Sequence, residues 1–128
     1  MKPGEIVLIT EIGYSGLVGK VLPNYCGENV HLVHVPERAC YIHVMDKDMI
    51  SESSLDTVEF NILRYIARSE NRSIQGSRLP GIEAEKIHQA INDANVRLNS
   101  NRPYDEYLKP LFKRDLIEVR NGRYRLKR

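Results

Sequence analysis

Tryptophan is missing from these 128 residues, and phenylalanine occurs only as Phe60 and Phe112. The core must therefore be aliphatic, with seven tyrosines as its main supply of rings. Cysteine is scarce as well: Cys26 and Cys40 are too few for a disulfide framework. No uninterrupted apolar run reaches the ~18 residues that a membrane-spanning helix needs. The start, Met1-Lys2-Pro3-Gly4-Glu5, lacks the apolar stretch of a secretory signal and predicts a cytoplasmic protein. Also missing are a Gly-x-x-x-x-Gly-Lys loop, a His-Glu-x-x-His pair and a Gly-x-Ser-x-Gly elbow. No catalytic residue, metal ligand or cofactor is assigned, and the expectation is a protein that is not an enzyme.

What is present is an ordinary globular balance, 41% apolar and 28% charged, in a length that suits one domain or two very small ones. The net charge of +2 hides an asymmetry. Residues 1–54 hold four Lys/Arg against seven Asp/Glu, and residues 55–128 hold fifteen against ten. Residues 97–128 alone hold ten against four, and the last nine residues carry five positive charges and no negative one. Such a split points to polyanion contact at the basic end. A solvated basic tail would have the same composition.

Residues 1–50 alternate short β-branched runs with turn signals. Strands are expected at Ile6–Ile9, Leu17–Leu22 (broken by Pro23-Asn24), Val30–Val35 and Cys40–Met45, with Pro36–Ala39 as a turn. Regular short strands of this kind suggest a curled sheet or small barrel. Lys2-Pro3-Gly4-Glu5-Ile6-Val7 followed by Gly16-Leu17-Val18-Gly19-Lys20-Val21 resembles a KOW-type barrel of the SH3-like class. The resemblance implies contact with RNA, ribosomes or RNA polymerase. The acidic charge of this segment turns the expectation toward a protein partner.

Cys26, His31, His34, Cys40 and His43 fall within 18 residues, a density that raises zinc. Pairing Val35 with Cys40 across the turn would set His34 opposite Tyr41 and His43 opposite Leu32. His31 and His34 would then point to opposite faces of their strand, where one metal does not collect both. Asp46 and Asp48 read as exposed strand-end carboxylates rather than a metal pair.

Ser51–Ser54 is the expected linker, and residues 55–128 the second domain. Leu55, Val58, Ile62 and Ile66, widened by Leu63 and Ala67, give one helical stripe. A loop is expected over 70–81, with Ile74 as a candidate short strand. Ile87, Ala90, Ile91, Ala94 and Leu98 give a second helix over 83–99, with His88 as a half-buried packing residue beside the stripe. Pro103 suits the start of a third, whose buried face holds Tyr104, Tyr107, Leu108, Leu111 and Phe112. Asn121-Gly122 between two alternating runs predicts a two-residue hairpin pairing Arg120 with Arg123 and Val119 with Tyr124. Glu118 then faces Arg125, and Ile117 faces Leu126.

Three helices and a hairpin, carried by Tyr107–Ile117 and the Asn121-Gly122 turn, resemble a winged helix-turn-helix domain. The overall expectation is thus an α+β chain, a small SH3-like β-barrel followed by a winged helix. The resemblance implies nucleic-acid contact, DNA rather than RNA, in transcription regulation. Its contact residues would be Arg102, Lys109, Lys113 and Arg114 around the third helix, and Arg120, Arg123, Arg125, Lys127 and Arg128 on the wing and tail. Arg72 and Arg78 would touch flanking backbone. Winged helices also dimerise, so a homodimer stays open. The other reading is an adaptor or inhibitor that binds only protein and uses the acidic barrel as its working surface.

Overall fold

Valine, leucine and isoleucine bury the inward side of the N-terminal strands, and both sides at Val7-Leu8-Ile9, and pairing follows from that burial. In the computed structural model, which describes residues 1–76 and 81–127, strands β1 (Ile6–Ile9), β2 (Val18–Tyr25), β3 (Val30–Val35), β4 (Cys40–Met45) and β5 (Met49–Ser51) form one antiparallel sheet. Its order is β4-β3-β2-β1-β5. Val7, Ile9, Leu17, Val21, Val33, Val35, Val44 and Met49 make its core, with Tyr14, Cys40 and Ile42 packed on the margin.

The bounds of β1, β3 and β4 match the sequence expectation, and so does the Val35–Cys40 register. Strand β2 differs, because it continues through Pro23-Asn24 to Tyr25. Its register with β3 shifts between Val21 and Tyr25, and such an irregularity accommodates a proline, which cannot donate to the ladder. The Pro36–Ala39 turn is a 3-10 turn closed by Ala39 in the left-handed region, φ 47°.

The expected linker is structured. Ser51 ends β5, Ser51 pairs with Val7, and Glu52–Ser54 form a further 3-10 turn. The chain divides after Asp56, into units Met1–Asp56 and Thr57–Arg128. Polarity alone marked 51–54 as a connection, whereas backbone pairing to β1 makes Ser51 part of the sheet.

The second unit opens with α1, Thr57–Gly76, which carries the helix six residues beyond Glu70 into the expected loop. Ile74 is therefore helical, and the short strand is instead β6, Ile82–Glu83. Helix α2 spans Ala84–Leu98 and stops at Asn99 in the left-handed region, whose N–H caps the carbonyls of Asn95 and Val96. Helix α3, Tyr104–Lys113, follows Pro103. Strands β7 (Ile117–Arg120) and β8 (Arg123–Leu126) form the hairpin with the expected register, and Asn121 and Gly122 both take positive φ. Strand β6 adds to the other edge of β8, giving the order β6-β8-β7. Buried Leu63, Ile66, Ile87, Ile91, Tyr107, Leu111, Ile117 and Leu126 fill the space between helices and hairpin. The chain is thus a mixed α+β protein with three helices and two antiparallel sheets among the described residues. No described helix is long and apolar enough to cross a membrane.

Two glycines are fixed by close approach. A Cβ on Gly19 would lie 2.4 Å from Val33 Cγ1 and 2.9 Å from the His34 carbonyl oxygen. One on Gly81, at φ +94°, would lie 2.5 Å from the Tyr124 carbonyl oxygen. Gly19→Ala is expected to cost about 1–3 kcal/mol through overpacking. Urea denaturation followed by circular dichroism checks this, with exposed Lys20→Ala as a control that stays within about 0.5 kcal/mol of the parent.

Candidate nucleic-acid interface

The basic residues expected at the interface arrive mainly on three carriers: the α2–α3 turn, helix α3 and the hairpin. Each carrier treats its charges differently.

The turn is held by Asn95. Its side-chain amide donates to the Arg102 carbonyl at 2.8 Å and accepts from the Tyr107 hydroxyl at 2.7 Å. Arg102 itself lies over the Tyr107 ring, 4.2 Å from its centroid. Its Nε meets Glu106 Oε2 at 3.2 Å, and its Nη2 donates to the Glu106 carbonyl at 3.4 Å. That carbonyl would ordinarily accept from the N–H of residue 110, but Pro110 has none. Arg102 thus replaces the hydrogen bond that the proline removes, and α3 continues to Lys113. Arg102 was expected to contact phosphate. Its guanidinium is engaged by the Tyr107 ring and by Glu106.

Along α3, Lys109 and Lys113 sit one helical turn apart and are exposed. Neither makes an ion pair with another described residue. Arg114, also exposed, follows the helix, and its N–H donates to the Pro110 carbonyl at 3.1 Å. Asp105 and Glu106 occupy the first turn, where the helix dipole favours anions.

On the hairpin, Arg120, Arg123 and Arg125 all meet acids. Arg125 Nε lies 2.9 Å from Glu118 Oε1, with both side chains about three-quarters buried. The nitrogen lies close to the carboxylate but off the N–H direction, so proximity of charge rather than an aligned hydrogen bond holds the pair. Arg120 Nε lies 3.7 Å from the same oxygen and remains 65% exposed. Arg123 spans β6, reaching Glu83 Oε1 at 3.6 Å and donating to the Gly81 carbonyl at 2.9 Å. Lys127 Nζ meets Asp115 Oδ1 at 2.5 Å, and this hydrogen bond holds its ammonium pKa above the usual lysine value. The expected cluster of open wing cations is therefore largely compensated, with Arg120 the most exposed of the three arginines. Arg128 and Arg78 lie outside the described residues, as does the side chain of Arg72.

The sequence reading placed Glu118 opposite Arg125. It missed Glu83, which reaches the hairpin only through the two-residue pairing of β6 with β8. It also missed a ring cluster. His88 of α2 stacks on Tyr104 of α3 at 4.2 Å, with planes 3° apart, and its Nε2 lies 3.4 Å from the Tyr124 hydroxyl. Phe112 approaches Tyr124 at 6.1 Å. Burial, and secondarily the Asp105 carboxylate, push the Tyr124 phenol above its usual pKa.

In the first unit, His31 Nε2 lies 2.8 Å from Asp46 Oδ1, and His34 packs on Tyr41 at 4.8 Å. The two histidines point to opposite faces of β3, and no group of three or more His, Cys, Asp or Glu among the described residues is placed to hold a metal. No protein-family model matches the chain, and no curated protein matches it in sequence.

Two outcomes follow. Arg102→Ala is expected to cost about 1–2 kcal/mol from its ring contact and its exposed ion pair. The loss should shrink in a Pro110→Ala background, where residue 110 donates to Glu106 directly; a double-mutant cycle of thermal stabilities reads the coupling. For Tyr124 the folded state favours the neutral phenol, while the unfolded chain ionises it near pH 10. Stability should therefore fall as pH rises from about 9 to 11, and the slope should be shallower in Tyr124→Phe. Urea midpoints across that range test the sign.

Proposed function

We propose that the chain is a small, non-enzymatic regulator that binds nucleic acid, DNA rather than RNA, through its second unit. The observation that carries this reading is the pair Lys109 and Lys113, exposed one turn apart on α3 and without an ion pair to another described residue; in this reading α3 is the second helix of a helix–turn–helix. The element order helix, strand, helix, helix, hairpin, with sheet order β6-β8-β7, supports a winged helix. The five-stranded order β4-β3-β2-β1-β5 supports an SH3-like barrel in the first unit, whose acidic surface docks a protein partner. The phosphate contacts then shift from the wing as a whole to Lys109, Lys113 and the hairpin-tip Arg120.

The compensated wing favours a second reading, an adaptor that binds protein alone. Exposed ion pairs are worth only ~0–1 kcal/mol, and phosphate can outcompete them. Arg125 with Glu118 is shielded, however, and gives phosphate little to gain.

Titrating mixed-sequence duplex DNA at two salt concentrations separates the readings. The double variant Lys109→Ala, Lys113→Ala should weaken binding and reduce the salt slope by ~1.8, about 0.9 per lost phosphate contact. Arg125→Ala should leave the slope unchanged. Wild-type protein that binds neither duplex nor heparin, yet recovers one stoichiometric protein partner, establishes the adaptor instead.

A further inference from the structure

Strand β4 ends its sheet, so one side of its backbone pairs with no other strand among the described residues. Which groups it leaves open follows from the ladder. The Asp46 N–H donates to the Asn29 carbonyl at 2.9 Å, and residues 29 and 46 continue the register in which Val30 faces Met45 and Val35 faces Cys40. In an antiparallel pair, hydrogen-bonding positions recur at every second residue. Cys40, Ile42 and Val44 therefore bond to β3. Tyr41, His43 and Met45 turn their N–H and C=O groups to the open edge.

The side chains of these three positions point away from the core. Tyr41 is 64% exposed and Met45 44%, two of the large apolar side chains left in water. The ring of His34 on β3 restrains that of Tyr41.

Natural edges are protected by charge, proline, bulges or shortness. The other strand ends of this chain carry such protection. Strand β5 has three residues, β6 has two, and β7 carries Glu118 and Arg120. Strand β4 runs Cys-Tyr-Ile-His-Val-Met, six residues in unbroken register, with no proline and no Asp, Glu, Lys or Arg.

We propose that this edge pairs with β4 of a second copy of the chain, antiparallel, with the two-fold axis on His43. The register is forced. Open groups must meet open groups, so the axis falls on a residue rather than between two; on Ile42 or Val44 it would pair only two open residues of each copy. Only His43 uses all three open residues of both copies. Tyr41 of each copy then lies beside Met45 of the other, and the exposed ring and thioether cover each other twice. An uncharged strand is also compatible with its own copy, where a charged one would oppose like charges across the axis. The inference does not depend on nucleic-acid contact in the second unit. A three-residue edge contact covers less than the ~1,000 Å² of a stable interface, so the association is a weak one.

Sedimentation equilibrium of the full chain from low micromolar to millimolar concentration tests this. The mass is expected to rise from 14.8 kDa toward twice that value. His43→Lys and His43→Glu each place like charges on the axis and should each raise the dissociation constant about tenfold or more. An equimolar mixture of the two should restore association as a heterodimer. Met45→Lys, charged against Tyr41 of the other copy, is the second variant should His43→Lys lose its native circular dichroism. A wild-type chain that stays monomeric to millimolar concentration overturns the proposal. So does dimerisation undiminished in His43→Lys or, if that variant is misfolded, in Met45→Lys; a mixture of folded lysine and glutamate variants that remains monomeric does the same.

Discussion

The Glu118 carboxylate sets how the C-terminal hairpin meets its surroundings. It sits between Arg125 at 2.9 Å and Arg120 at 3.7 Å, on the hairpin face away from the core. Without it, strand pairing would hold three guanidiniums on one side of a two-stranded ribbon. With it, and with Glu83 beside Arg123, the ribbon becomes nearly neutral and its arginines serve cohesion first. The net positive charge of residues 97–128 is real in composition, yet its display is decided by cross-strand neighbours. Among the described residues, the exposed cations of this segment are then carried mainly by the helices and the hairpin turn: Arg97 on α2, Lys109 and Lys113 on α3, Arg114 just after it, and Arg120.

The same economy shows at the junction of α2 and α3. Asn95 satisfies both of its amide ends within the turn, and Arg102 supplies the donor that Pro110 lacks. A proline at the seventh residue of a ten-residue helix would ordinarily shorten it. Here a cation from outside the helix restores the acceptor's partner, so the turn and the helix are one cooperative element. Lys109 and Lys113 owe their common direction to that continuity.

Much of this was legible where turn chemistry fixes register. Asn121-Gly122 and Pro36–Ala39 set two hairpins, and their cross-strand pairs follow residue by residue. The apolar stripes of α2 and α3 gave Ile87, Ile91, Ala94, Tyr107, Leu108 and Leu111 as buried, but Leu98 and Phe112, expected in the same stripes, stay exposed near the helix ends. Illegible were the elements with no period of their own. Strand β6 is two residues long, and β5 ends in a serine that looked like linker. Each exists because a partner strand offers backbone groups, which local sequence does not report. The fate of the charges was hidden for the same reason: Glu83 lies 40 residues from Arg123 along the chain and reaches it through β6. Arg102 looked like a phosphate contact because composition counts cations without counting the carbonyl that Pro110 leaves open.

The topology of the first sheet also orders its assembly. Strands β1 to β4 are successive hairpin neighbours and can form by short-range closure. Strand β5 must return to β1, bringing Ser51 to Val7 and closing the longest loop in that unit. Loop entropy makes this the most expensive pairing to nucleate, and only three residue pairs, on the shortest strand of the sheet, hold it shut. The last strand to arrive is then expected to be the first to leave, with hydrogen exchange in the first sheet starting at its β1–β5 seam.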